Sequence, residues 1–321
     1  MPCYVAPIVY NIIEPLQFIV FSKNKKRWLW MTFNKHGSFY LRSSWPMKGL
    51  KAIDEEPSIF TPQNELLAVD TLGLGRVMVT SLRYWMSVVG LAQEDRSQNG
   101  RIILNLTELA KQIKDYDPFF QDIGTAWLLH RNLAKNEKDA TTWYWFFNVF
   151  QRNKFTKKEF LHELKSYIQL RGRTVADRSL DRDFNCLRLT YKQGEFKDIA
   201  DYIEEGIISY FSKLNLVKEI EWDTYMKMKP ANNKLPAEIL LYSILEDVPV
   251  EQEQVSIKEL FEEKGYIGKI YNLSYVLLMK KLEELERKGY IKLYNRFGHN
   301  HIELIEKDKE KVLINYYRKE A

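Results

Sequence analysis

Three groups able to meet a phosphate recur at six-residue intervals near the start of this chain: His36, Arg42 and Lys48, with Phe39 and Trp45 between them. Residues an even number apart lie on one face of an extended chain. An extended reading therefore puts the three side chains together, two as fixed charges and His36 as a group that can move a proton. That set suits a nucleic-acid backbone. A basic surface loop anchored by Phe39 and Trp45 is the competing reading, since charged clusters usually lie on solvated faces.

A second cluster interleaves Arg171, Arg173, Arg178 and Arg182 with Asp177, Asp181 and Asp183. Carboxylates beside phosphate-binding arginines are what a Mg²⁺- or Mn²⁺-dependent phosphodiesterase needs, because the metal stabilises the attacking and leaving oxygens. If the chain cleaves DNA, Asp177, Asp181 and Asp183 are the expected metal ligands and His36 the expected base or phosphate contact. Alternating charges that neutralise one another on a helix face are the competing reading. Gly73-Leu74-Gly75-Arg76 opens a helix and offers a modest anion site, with Arg76 and Arg83 beside it. It is neither a P-loop nor a dinucleotide fingerprint. No zinc spacing and no Gly-x-Ser-x-Gly elbow is present.

The elements that must carry these residues are mostly helical. Val77 to Val89 has helical spacing and Gly90 closes it. Thr107 caps a further short helix. Thr125 to His130 and Thr142 to Phe150 are bulky, nearly continuous runs that read as buried helices. His130 reads as a hydrogen-bonded core histidine, and Cys186 as a buried thiol. Pro236 starts a helix that runs to about Asp247, Ser256 starts a second with capping-box spacing, and a third spans about Asn272 to Gly289. Tyr290 to Tyr294 and His301 to Ile305 then form a hairpin. Three helices and a hairpin make the winged-helix pattern, whose third helix enters the major groove when the module binds DNA. Lys280, Lys281 and the wing residue Arg296 are its expected DNA contacts, although Glu283, Glu284 and Glu286 on the same helix would repel phosphates.

The 321 residues carry a formal net charge of +5, unevenly spread. Residues 1–50 hold seven basic residues against one acid, and residues 150–192 hold eleven against five. Concentrated basic charge is the footprint of a nucleic-acid binder. No stretch is long and apolar enough for a membrane span, and two cysteines, Cys3 and Cys186, fit a reducing compartment. The expected location is the cytoplasm. Met31 stands just before the first motif, so residues 1–30 read equally as an extension placed ahead of the natural start.

Four blocks occur in order: His36-x-x-Phe39-x-x-Arg42-x-x-Trp45-x-x-Lys48-Gly49; Leu72-Gly73-Leu74-Gly75-Arg76 with Leu82-Arg83-Tyr84-Trp85; Trp127-Leu128-Leu129-His130 with Thr142-Trp143-Tyr144-Trp145-Phe146-Phe147-Asn148; and Ser179-Leu180-x-x-Asp183-x-x-Cys186-Leu187. Together they resemble the SspB-type family of bacterial single-stranded DNA phosphorothioation. Gly37 stands where that family usually has Glu after the His, and Arg76-Val77 where it usually has Lys-Asn. The first change removes a possible metal ligand or partner of His36, and the second keeps the charge. The resemblance implies a DNA nickase, or a subunit that handles double-stranded DNA for phage defence. Its implied partners are a cysteine desulfurase, an ATPase and an ATP-pyrophosphatase-like sulfur-transfer enzyme. Two other functions stay open: a non-enzymatic adaptor and a winged-helix transcription regulator.

The expected architecture is α+β and mainly helical. Residues 1–32 form an extension or strands, residues 33–230 a DNA-handling domain and residues 231–321 a winged helix. Arg42, Lys48, Arg76 and Arg83, followed by Arg152, Arg171 and Arg173, are the expected strand-holding residues of the larger domain.

Overall fold

Positive backbone φ at Asn34 (55°), Gly37 (58°) and Ser38 (69°) curls the first motif into a turn. A helix then begins at Trp45, with Pro46 in its first turn, so the motif is not the extended strand that its six-residue spacing suggests. The computed structural model describes residues 31–95, 103–192, 208–296 and 299–320. Contacts divide the chain into residues 1–30 and residues 31–321. The strands or arm expected in residues 1–30 lie outside the described residues.

The larger unit is α+β and mainly helical. Helices α1 (Trp45–Glu55), α2 (Glu65–Leu72) and α3 (Arg76–Val88) come first. The strands β1 (Ala92–Asp95) and β2 (Ile103–Leu106) pair antiparallel. Next come α4 (Glu108–Tyr116), α5 (Ile123–Lys135) and α6 (Thr141–Asn148). Thr107 caps α4 as its position suggests, accepting the Ala110 N–H at 3.1 Å. The bulky runs of α5 and α6 are mostly buried, with Trp127, Trp143, Trp145, Phe146 and Phe147 in the core and Tyr144 half-buried. Aromatics packed there are unavailable as a platform for stacking bases.

Strand β3 (Lys154–Thr156) leads through a reciprocal capping box, Thr156 with Glu159, into α7 (Lys157–Gln169). Helix α8 (Asp177–Tyr191) follows. Strands β4 (Val217–Glu221) and β5 (Thr224–Lys227) form a hairpin, and the sheet order is β3-β5-β4.

The C-terminal part begins with α9 (Ala237–Asp247), for which Pro236 is the N-cap and not the first helical residue. Then come β6 (Gln254–Ser256), α10 (Ile257–Glu262), α11 (Ile267–Ile270) and α12 (Tyr275–Arg287). The strands β7 (Ile291–Arg296) and β8 (His299–Leu304) form a hairpin, and β6 joins it in the order β6-β8-β7. A last helix, α13 (Lys309–Glu320), returns against α9 and was not evident in the sequence.

Hydrogen bonds tie this part to the rest. Trp127 Nε1 donates to the Lys234 carbonyl at 2.6 Å, and His130 Nε2 faces the Ile270 carbonyl at 2.9 Å. The Gly265 N–H reaches Asn148 Oδ1 at 2.7 Å. Gly268 allows α11 to lie directly on α10, because a Cβ there would sit 2.2 Å from the Phe261 carbonyl oxygen. Backbone cannot yield as a side chain would. Gly268→Ala is expected to lower stability by about 2–3 kcal/mol, the cost of overpacking. The urea midpoint reads this, and an unchanged midpoint would refute the close approach.

Candidate functional site

The four sequence blocks meet at one buried histidine–carboxylate hydrogen bond. His36 and Asp183 are both essentially without solvent exposure, and His36 Nε2 lies 2.9 Å from Asp183 Oδ1. The Asn34 N–H donates to the same oxygen at 2.7 Å, and the Thr142 hydroxyl donates to Oδ2 at 2.5 Å. Helix α3 closes the other side. Ser81 Oγ donates to the His36 carbonyl at 2.7 Å, and Trp85 Nε1 donates to the Phe39 carbonyl at 2.9 Å. Trp143 meets the His36 ring edge-on at 5.6 Å between centroids. The blocks are thus linked in space by a turn, α3, α6 and α8.

The state of the His36 ring follows from its partners. Burial opposes a charge on the ring, whereas Cys186 and Asp183 favour one. The Ser38 backbone N–H, however, donates to Nδ1 at 3.0 Å. A second ring proton would face that donor. The fixed backbone group therefore holds the ring neutral, with its proton on Nε2 and directed at Asp183. A fully enclosed histidine with both nitrogens committed meets no strand. The expected role of His36 as base or phosphate contact gives way to one as a tie between elements.

The three aspartates do not converge. Asp177 takes Lys165 at 2.8 Å, and Asp181 takes Lys157 at 2.5 Å and Asn185 at 3.1 Å. Asp183 lies two residues beyond Asp181, about 200° around the helix, and is turned into the core. Among the described residues no group of three or more His, Cys, Asp or Glu side chains could hold a metal ion. The donors present therefore do not fit the expected Mg²⁺ or Mn²⁺ at these positions.

The basic residues are mostly engaged. Arg42 lies over the rings of Phe39 and Trp45, at 5.6 and 5.4 Å. Lys48 sits on α1 and donates to the Leu72 carbonyl at 2.8 Å, closing α2. His36, Arg42 and Lys48 therefore share no face. Beside the Gly73–Gly75 turn, Arg76 pairs with Glu65 at 3.4 Å, and Arg83 pairs with Glu94 at 2.7 Å. Arg152 spans Glu159 and Glu163. Arg171 covers the Tyr167 ring, and Arg173 donates to the Met31 carbonyl at 3.0 Å. On α12, Lys281 is buried beside Glu284 while Lys280 is exposed. Arg296 ends β7, and Phe297 and Gly298 lie outside the described residues.

Several buried charges were not singled out from the sequence. Lys227 donates to the Phe146 and Phe150 carbonyls at 2.6 and 2.8 Å, closing α6. Burial, and then nearby Lys269, pushes its pKa down to about 7. Lys213 likewise donates to the Phe120 carbonyl at 2.9 Å, and burial lowers it to about 8. Arg131 and Lys135 both reach Asp247 Oδ1. Arg131 also lines a cleft of about 220 Å³ with Asn132, Tyr242, Glu246 and Lys309. A charge next to His130 inside an otherwise apolar helix was the available signal.

His130 is the core histidine its surroundings suggest. Its Nδ1 meets Tyr191 Oη at 2.8 Å, and burial drives its pKa down to about 4.

Two outcomes follow. Asp183→Ala removes the acceptor of the Asn34 N–H, the Thr142 hydroxyl and His36, and is expected to cost about 3 kcal/mol or more as buried donors lose their partner. Asp177→Asn and Asp181→Asn should stay within about 0.5 kcal/mol, as exposed pairs do. Urea unfolding measures all three, and equal effects would sink the buried tie. For His130 the folded pKa lies below the unfolded 6.5. The unfolded chain therefore binds more protons between these values. Stability should fall by up to about 3 kcal/mol as pH drops from 6.5 to 4, with much less of that fall in His130→Gln.

Residues 33–317 match a family described as a protein of unknown function, DUF4007. Two solved structures share the fold. The magnesium-ion-bound SspB crystal structure has a TM-score of 0.78 at 21% identity, with 89% of this chain and 88% of that chain covered. The SspB crystal structure gives 0.77 at 20%, with the same coverage. No curated protein matches. The likeness to SspB bears out the resemblance read from the four blocks, and at this identity it shows the fold. With the match extending over most of its length, the chain belongs to the DUF4007 family.

Proposed function

We propose that this protein handles double-stranded DNA in bacterial phosphorothioate modification and anti-phage defence, as a nickase or as the subunit that presents DNA for nicking. The observation that carries the reading is the likeness to SspB along 89% of the chain. The partners that go with it are a cysteine desulfurase, an ATPase and an ATP-pyrophosphatase-like sulfur-transfer enzyme, in the cytoplasm. No described helix is long and apolar enough to cross a membrane.

Residues 231–321 support DNA binding as a winged helix. The order α9-β6-α10-α11-α12-β7-β8, with the short α11 added to three helices and a hairpin, and the sheet β6-β8-β7 support that reading. Helix α12 would then face the groove, with Tyr275, Val276 and Lys280 exposed on it. Exposed Arg76 and Arg152 are held only by surface pairs, which a phosphate can replace.

A second reading, the non-enzymatic adaptor, is favoured by one observation. Asp177, Asp181 and Asp183 assemble no cage. The SspB structure that resembles this one holds magnesium. Mg²⁺ commonly takes one or two carboxylates plus substrate phosphates, so no catalytic step is assigned to these aspartates.

Supercoiled plasmid with Mg²⁺, Mn²⁺ or EDTA decides between the two. Metal-dependent conversion to open circle, unchanged in Asp177→Asn and Asp181→Asn, is the expected result for a nickase centred elsewhere. A gel shift without strand breaks under either metal selects the adaptor, and neither signal refutes both. Lys280→Ala should reduce the slope of log affinity against log salt by about one, as loss of one phosphate contact does.

A further inference from the structure

Trp222 and Leu170 are the two most exposed large apolar side chains among the described residues, at 95% and 86%. Each occupies a tight turn. Trp222 and Asp223 connect β4 to β5, with φ of 53° at Asp223. Leu170 follows α7, and Gly172, at φ 70°, bends the chain toward α8.

The surroundings of these two turns have opposite charge. Glu219, Glu221 and Asp223 flank Trp222, and of these Glu219 is drawn to Arg188 at 4.0 Å. Arg171 and Arg173 follow Leu170, and Arg178 is exposed on the first turn of α8. The basic turn is held in shape. The Arg171 guanidinium lies 3.5 Å from the Tyr167 ring centroid, and Arg173 is tied to the Met31 carbonyl. The hairpin is held by the three-stranded sheet.

A tryptophan left in water is a strong association element, and tryptophan and arginine are the residues that most often anchor interfaces. Glu221 and Asp223 would repel a phosphate backbone, so DNA is the wrong occupant for this turn. The same chain exposes a matching apolar group inside a basic rim. We propose that the Trp222 turn of one copy docks on the Leu170–Arg178 turn of a second copy. A two-fold arrangement makes the contact twice. Two buried tryptophans cover roughly 300–500 Å², so the charged rims supply the rest of the roughly 1,000 Å² a specific contact needs, and the dimer is weak. The inference stands independently of DNA handling, and the self-association is measured without DNA.

Sedimentation of the full chain over a concentration series tests this. The expected result is a concentration-dependent dimer that weakens as salt rises. Trp222→Ala should weaken it at least tenfold and leave the melting temperature of the dilute monomer unchanged, because the side chain is exposed there. Glu221→Arg should also weaken it, and adding Arg178→Glu should restore it. A monomer at every concentration, or a dimer indifferent to Trp222→Ala, overturns the proposal. Failure of the charge swap to restore association overturns the assigned partner turn.

Discussion

Everything around the first motif depends on one buried carboxylate. Asp183 accepts hydrogen bonds from the Asn34 N–H, the Thr142 hydroxyl and His36. Those donors come from a turn and from α6, while the acceptor is on α8. A carboxylate taken out of water is costly unless such partners are supplied together. The three elements must therefore arrive in one arrangement, which fixes where α8 lies and how the turn at 34–38 is presented. Helix α3 is locked to the same turn through Ser81 and Trp85. The tie joins residues up to 149 apart in sequence, so it forms only when the larger unit has folded.

The recurring residue types of the four blocks record this tie more than they record chemistry. His36, Trp85, Thr142, Trp143 and Asp183 are all buried and meet around one point. The same residue types would be chosen for a catalytic centre, which is why spacing alone could not separate the two. Enclosure is what tells them apart. A group that acts on a strand must reach it, and His36 does not.

Local signals carried the fold where one element dictated them. Thr107 as a cap, the apolar period of α3, the unbroken bulk of α6 and the helices and hairpin after Pro236 were all legible. The failures have a common cause. The extended reading of residues 36–48 missed the positive φ at Asn34 and Ser38, which only their side-chain and backbone partners impose. The aspartate triad was read as a cluster because 177, 181 and 183 are close in sequence. On a helix, the last of them faces away from the other two. Lys227, Lys213 and Arg131 went unnoticed because their partners are carbonyls and carboxylates from distant segments.

Charge counting misleads for a related reason. The basic excess of residues 1–50 and 150–192 suggested a strand-binding face. Many of those charges instead finish the protein's own structure. Lys48 closes α2, Arg173 holds Met31, Arg42 lies on two aromatic rings, and Lys165 and Lys157 neutralise aspartates. A cation that donates to a helix-ending carbonyl is fixed in place and partly screened, so it adds to the long-range field but makes a poor direct phosphate contact. The proposed DNA contact then rests on a smaller exposed set: Lys280 on α12, Arg76 at the start of α3 and Arg152 ahead of β3, the last two held by solvent-exposed pairs. Such a set acts through position, and position is what the buried tie at Asp183 and the hydrogen bonds from α5 and α6 to the C-terminal helices supply.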